Sequence, residues 1–199
     1  MKITKLDNIY ILTKKKFFKL YKIPNKKIIL TDSLKSLENK NTYGENVLIS
    51  CNTNVIVPEK IFNNFRLALN IHPGSYNYPG RDPHHWACYS KSNIFGSTAH
   101  LIRKKVDSGQ IIDFELVNID KELSVSEYKH IGSKTSIILM NRIVSSILKG
   151  FVKVKKKKWK GRVSKRIDLI KLCDFRELDA KEIKRREASF EGFEKFYQY

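Results

Sequence analysis

Three short stretches carry side chains whose types and spacing suit acyl chemistry: Asn70-Ile71-His72-Pro73-Gly74, Gly96-Ser97-Thr98-Ala99-His100 and Val106-Asp107-Ser108-Gly109. Asn70 and His72 stand two apart, so their side chains share a face if extended backbone continues through both. When an amine attacks an acyl carbon, negative charge develops on the carbonyl oxygen, and an amide N–H together with a protonated imidazole stabilises it. Losing one such donor costs roughly 2.7 to 4 kcal/mol in the barrier. A carboxylate within reach of the imidazole, such as that of Asp107, orients the ring and helps remove the amine's proton. No nucleophilic Ser or Cys is required, because amine and acyl donor react directly once held together. Taken singly, Asn70 reads as a strand-end turn former and His72 as a capping or core histidine; their convergence with Asp107 is what makes a site. The spacings among His72, His84, His85, His100 and Asp107 match no zinc-hydrolase or deaminase pattern, so no metal is expected.

Elements must bring these residues together. The apolar run Phe65–Leu69 reads as a buried strand, and Pro73-Gly74 ends it, placing Asn70 and His72 where strand gives way to loop. Earlier strands are read at 8–13, 27–31 and 46–51, with short helices at 33–39 and 55–65. Strands also fit 96–102 and 110–117, the second following the Asp-Ser-Gly turn. A helix is expected near 84–89, and Ser124-x-x-Glu127 opens the longest helix with a capping box. Ile137, Met140, Val144, Ile147 and Leu148 give it an apolar stripe. Strands alternating with short helices predict an α/β fold with parallel pairing, and ligands bind such sheets at the carboxyl edge.

Residues 1–149 are read as the catalytic domain and 150–199 as a basic C-terminal appendage packed on it. The appendage holds 16 Lys plus Arg against 8 Asp plus Glu, including Lys155–Lys158 beside Trp159. Asp179-x-x-Glu182 caps a final helix with Ile183, Phe190, Phe193 and Tyr197 near one face. The whole chain of 199 residues is 41% hydrophobic and 30% charged, a globular composition, with a net charge of +19. That charge invites a polyanionic partner, nucleic acid, nucleotide or anionic lipid. Lys supplies 30 of the 39 basic residues and Asn and Ile are abundant, so an A/T-rich coding sequence accounts for part of it. Cys51, Cys88 and Cys173 are odd in number and widely spaced, which argues for a reducing compartment and against a disulfide framework. With no apolar leader and no long apolar run, a soluble cytoplasmic protein is expected.

The combined pattern Asn70-x-His72-Pro73, Gly96-x-Thr98-x-His100 and Asp107-x-Gly109 resembles the 10-formyltetrahydrofolate-dependent formyltransferases, in which the Asp-x-Gly turn follows the His at the separation seen here. The resemblance covers about residues 46–120. It implies a Rossmann-like formyltransferase fold with a mostly parallel sheet, and Asn70, His72 and Asp107 as the catalytic set. It also implies a formyl donor, 10-formyltetrahydrofolate, released as tetrahydrofolate and held near Asn52, Thr53, Asn54, Val55, Ser108 and Gly109. Thr98 and His100 are read as supporting the site from behind. Tyr76, Arg81, His84 and Trp86, in an aromatic and cationic loop, are the candidates for holding the acceptor.

The chain departs from the family in ways that bear on the acceptor. Fewer residues than usual precede Asn70, so the N-terminal half is abbreviated. There is no Gly-rich phosphate loop near residue 10, unlike the purine-pathway enzyme, and the last 50 residues are too short for the barrel of the methionyl-tRNA enzyme. By elimination the sugar branch fits best, with the amine of a nucleotide-linked aminodeoxysugar as acceptor. The methionyl-tRNA reading stays open through the charge of the tail, as does a non-catalytic relative that binds nucleic acid through Lys153–Lys160 and Trp159. A homodimer stays open too.

Overall fold

Alternation along the strands sorts the apolar side chains into two sets, and each set builds one face of a single sheet. The computed structural model describes residues 1–21, 25–38 and 45–199. Its strands are β1 (Ile9–Leu12), β2 (Ile28–Thr31), β3 (Val47–Cys51), β4 (Leu67–His72), β5 (Ile94–Leu101) and β6 (Ile111–Asn118). They lie in the order β2-β1-β3-β4-β5-β6. Pairing is parallel from β2 through β4 and antiparallel for β4 with β5 and β5 with β6. The sheet is thus mostly parallel, but the parallel pairing expected from helix–strand alternation stops at β4. β5 and β6 are joined by the loop of residues 102–110, too short for a helical crossover, so the chain turns back on itself.

One face carries Ile9, Ile11, Val47, Ile49, Cys51, Leu67, Leu69, Ile71 and Ala99, covered by Leu139, Met140, Ile143, Val144 and Ile147 of the helix α4 (Val125–Leu148). This helix begins as its sequence dictates: Ser124 and Glu127 exchange both hydrogen bonds of a capping box. Ile137 and Leu148, the other members of its apolar stripe, pack at the rim of the same core. Gly132 sets how close α4 comes, since a Cβ there would lie 2.7 Å from the carbonyl oxygen of Pro73, directly after β4. Beside it, the buried Ser97 hydroxyl meets Thr135 Oγ1 at 2.7 Å, Ser136 Oγ at 2.8 Å and the Gly132 carbonyl at 2.8 Å, tying β5 to the helix.

The opposite face carries Tyr10, Leu12, Leu48 and Ala68 and is covered more thinly, by α1 (Lys35–Glu38) and α2 (Glu59–Phe62) with Leu37, Ile61, Phe62 and Phe65. Each of these helices has four residues, and the β1–β2 crossover carries a 3-10 helix, Lys15–Leu20, with no buried residue. Asn39, the end of the helix read at 33–39, lies outside the described residues. No described helix is long and apolar enough to cross a membrane.

Beyond α4 the chain forms α5 (Arg166–Lys171) and α6 (Ala180–Ser189), the latter capped by Asp179, which accepts from the Glu182 N–H. Leu169, Cys173, Phe190 and Phe193 form a small core that takes in Trp86 and Tyr89 of α3 (Pro83–Tyr89). Asp113 and Glu115 of β6 grip Arg142 of α4, and Asp113 also holds Lys155 at 2.6 Å. The three cysteines are free thiols.

Candidate active site

β4 runs through Asn70 and on to His72 rather than ending before them. Cys51 of β3 pairs with Ile71 on one side and Thr98 of β5 pairs with His72 on the other, so the backbone is held extended to Pro73. Asn70 pairs with His100 in the same ladder. Directly paired residues share a face, so Asn70, His72, Thr98 and His100 form one polar group that continues the thinly covered apolar row of Leu48 and Ala68.

The loop between β5 and β6 delivers Asp107 onto this group. Its backbone is left-handed, φ 45°, a conformation Asp tolerates better than most residues, and its carboxylate is saturated. Oδ2 accepts the Gly80 N–H at 2.8 Å and lies 3.3 Å from Nδ1 of His72, while Oδ1 lies 3.1 Å from Nε2 of His100. Burial alone would raise its carboxyl; the two imidazoles and the Gly80 N–H outweigh that and hold it well below the usual carboxylate range. Asp107 is therefore an anion at neutral pH. Gly80 itself sits at φ 100° with Ser164 backbone atoms where a Cβ would go, so only glycine brings this N–H to the carboxylate.

Both histidines have their second nitrogen engaged. Nε2 of His72 is 2.9 Å from the Tyr78 carbonyl and its Nδ1 faces Asp107, so each ring nitrogen lies against an oxygen. His100 Nδ1 gives its proton to the Leu101 carbonyl at 2.8 Å. Its Nε2 faces the Asp107 carboxylate and also Nδ2 of Asn70 at 3.2 Å. That nitrogen can donate to the acid or accept from the amide, which links Asn70, His100 and Asp107 into one proton-carrying chain. His100 is thus in direct contact with both partners, where the sequence suggested only support from behind. Thr98 supports the site through a hydrogen bond from its hydroxyl to the Gly74 carbonyl at 3.0 Å.

The remaining candidates fall into two groups. Asn52, Thr53, Asn54 and Val55 form the loop after β3, beside the end of β4; Asn52 is left-handed at φ 51°, and Asn54 accepts from Lys14 Nζ at 3.2 Å. Ser108 and Gly109 follow Asp107 directly, with the Ser108 hydroxyl on the Lys105 carbonyl. Tyr76 lies edge-on to Phe114 with Lys157 over its ring, and the Arg81 side chain is exposed. His84 and Trp86 make their contacts elsewhere than with Asn70, His72 and Asp107. Trp86 packs on Phe190 in the C-terminal core, and His84 stacks on His85, with burial and that neighbour pushing its imidazole down to about 4. Burial pushes the Cys51 thiol up to about 12, so it offers no thiolate beside the site.

One contributor escaped sequence reasoning. Trp159, which the sequence places among lysines, turns inward against the two histidines, edge-on to His72 at 5.8 Å and to His100 at 5.1 Å between ring centroids. Its indole N–H donates to the Gly109 carbonyl at 2.9 Å. His72, His100 and Asp107 are 4%, 3% and 4% exposed, while Asn70 stays partly open. The only sequence signal was an indole interrupting a polylysine run. With Trp159 facing the site, that run does not hold out its aromatic ring to stack on a base.

Fold and site together define a Rossmann-like α/β protein with a side-chain amide, two imidazoles and a carboxylate gathered at the carboxyl end of β4. Residues 24–144, more than half of the chain, match the family model described as formyl transferase. The chain belongs to the formyltransferase family. No curated protein matches its sequence. Among solved structures it is similar to a 4-N formyltransferase from Francisella tularensis, with a TM-score of 0.72 at 18% identity, covering 92% of this chain and 87% of that one. A sugar N-formyltransferase from Shewanella sp. matches with a TM-score of 0.65 at 16% identity, over 90% and 85% of the two chains. An N-formyltransferase from Helicobacter canadensis, solved with folinic acid and dTDP-3-aminofucose, matches with a TM-score of 0.64 at 13% identity, over 92% and 80%.

Proposed function

We propose that this chain moves a formyl group from 10-formyltetrahydrofolate to the primary amine of a nucleotide-linked aminodeoxysugar, with tetrahydrofolate released. The observation that carries the reading is the convergence of Asn70, His72 and Asp107 from two separate stretches of sequence: His72 meets Asp107 directly, and Asn70 is linked to it through His100. The family match supports formyl transfer, and the likeness to sugar N-formyltransferases supports the acceptor class.

The donor set fits a formyl group. The donor brings the one-carbon acyl unit, and Asn52, Thr53, Asn54, Val55, Ser108 and Gly109 would hold it. Asn70, the partly open member, presents its amide N–H to the formyl oxygen as charge builds there. His72 contributes its Nε2–H by exchanging the Tyr78 carbonyl for that oxygen, and Asp107 stabilises the positive ring behind it. His100 offers a path for the proton that the amine loses, since its Nε2 borders both the amide and the acid. On the acceptor side, Tyr76 with Lys157 over its ring, and the exposed Arg81, supply an aromatic face and cations suited to a nucleoside diphosphate.

The test is a panel of amines incubated with protein and 10-formyltetrahydrofolate: amino-sugar nucleotides, charged initiator tRNA and glycinamide ribonucleotide. Formylation of an amino-sugar nucleotide supports the proposal. Formylation of the tRNA alone, or of nothing, contradicts it.

A further inference from the structure

His72, His100 and Asp107 are buried, and a residue from far along the chain lies against both imidazoles. The segment that carries Trp159 has no helix or strand of its own. Main-chain bonds pin it on both sides of the site: Lys155 N–H to the Ile112 carbonyl at 2.9 Å, Lys160 N–H to Tyr76 at 2.8 Å, and Ser164 N–H to Pro79 at 2.9 Å, with Arg81 N–H returned to Ser164 at 2.9 Å. Between these pins Lys156, Lys157, Lys158 and Lys160 are exposed, and Trp159 alone dips inward. Its ring stands at 71° to the His72 ring and 76° to the His100 ring, covering both, and its N–H ties it to the turn that carries Asp107. The indole therefore closes the imidazole side of the group, and the partly open Asn70 marks the side on which a substrate can approach.

We propose that Trp159 is a specificity-determining residue that shuts water out of the formyl site and so favours amine over water as the acceptor. The inference rests on the formyl-transfer reading above. In productive transfer a new C–N bond forms to the acceptor, the C–N bond to the donor breaks, the donor nitrogen gains a proton and the amine loses one. In the competing reaction water attacks the same carbon, a C–O bond forms, the donor nitrogen again leaves with a proton, and formate is released. The same amide and imidazole stabilise the oxyanion in both, so Asn70 and His72 cannot tell the two nucleophiles apart; only access can. Water is present at far higher concentration than any amine, so a wall of low polarity is the economical means of discrimination. An indole fastened by a hydrogen bond fills that role without supplying a competing nucleophile.

The experiment measures formate and formylated amine in the same reaction for the full chain and for Trp159→Ala, Trp159→Leu and Trp159→Phe. It is paired with deuterium exchange at the C2–H of His72 and His100, read by mass spectrometry without any substrate. The expected result is a ratio of formate to formylated amine raised about tenfold or more in Trp159→Ala. Trp159→Phe, which keeps a ring over the imidazoles, should restore coupling, and C2–H exchange should quicken in the alanine variant. Should Trp159→Ala fail to fold, Trp159→Leu, which keeps apolar volume but not the ring or its N–H, should show the same direction to a smaller extent. An unchanged ratio with both products reduced in step overturns the proposal, as does unchanged C2–H exchange. A wild-type chain that formylates no amine would instead overturn the proposed function, and the exchange measurement would still decide whether Trp159 is the wall.

Discussion

Replacing Asp107 by Asn keeps the shape of the residue and removes its charge, which isolates what the acid does for His72. The pair is nine-tenths or more buried on both sides and 3.3 Å apart. At that distance, with an effective dielectric near 20, a unit charge pair interacts by about 5 kcal/mol. The Asn amide can still accept from His72 and Gly80 through its oxygen, while its NH2 group meets His100 Nε2, which accepts once its own proton sits on Nδ1 toward the Leu101 carbonyl. The hydrogen bonds therefore survive, and what is lost is the anion that favours a positive His72 in the transition state. If most of that attraction is realised there, kcat should fall by roughly three orders of magnitude, since each tenfold in rate corresponds to about 1.36 kcal/mol. KM for the donor should change little, because the charge acts when the oxyanion forms. The assay is steady-state release of tetrahydrofolate with a saturating amino-sugar nucleotide near pH 7, with the variant's fold checked by circular dichroism. A kcat within tenfold of the wild type would refute the electrostatic role assigned to Asp107.

The other predictions concern the framework and the titrating groups. Gly132→Ala should lower the melting temperature even though alanine favours a helix by about 1 kcal/mol over glycine, because its Cβ meets the Pro73 carbonyl; an equal or higher melting temperature would show that α4 does not approach β4 so closely. His84 is held neutral, with its folded value near 4 against 6.5 for the free side chain, so the unfolded chain binds the extra proton between those values. Stability from this group is complete above pH 6.5 and declines as pH falls toward 4, by up to about 3 kcal/mol. Urea unfolding at pH 7 and pH 5 should show the decline, and His84→Gln should lessen it; identical pH slopes would rule His84 out as its source.

Much of the site could be read in advance because its signals are local. The Asn-x-His pair, the Asp-x-Gly turn and the capping box at Ser124 are each written within a few residues, and the strands that carry them alternate clearly. What was not legible depends on contacts between distant segments. The reversal at β5 depends on how the chain turns after β4, which pairing geometry decides and composition does not. His100 reads as support for the site, but its direct contact with Asp107 was not legible because nothing nearby in sequence shows the acid folding back onto its ring. Trp86, in a loop rich in groups suited to binding, went to the C-terminal core because Phe190 offered it an apolar partner. Trp159 was obscured by its charged neighbours, since a lysine run reads as a solvated surface whichever way its one indole points.

This chain should carry a formyl group from donor to amine. A single-turnover reaction with 13C-formyl-labelled 10-formyltetrahydrofolate, stoichiometric protein and an amino-sugar nucleotide measures it directly by mass spectrometry of the sugar. The expected result is labelled N-formyl sugar in amounts matching the protein, and none with His72→Asn. An unlabelled sugar beside intact donor would contradict the account at its centre.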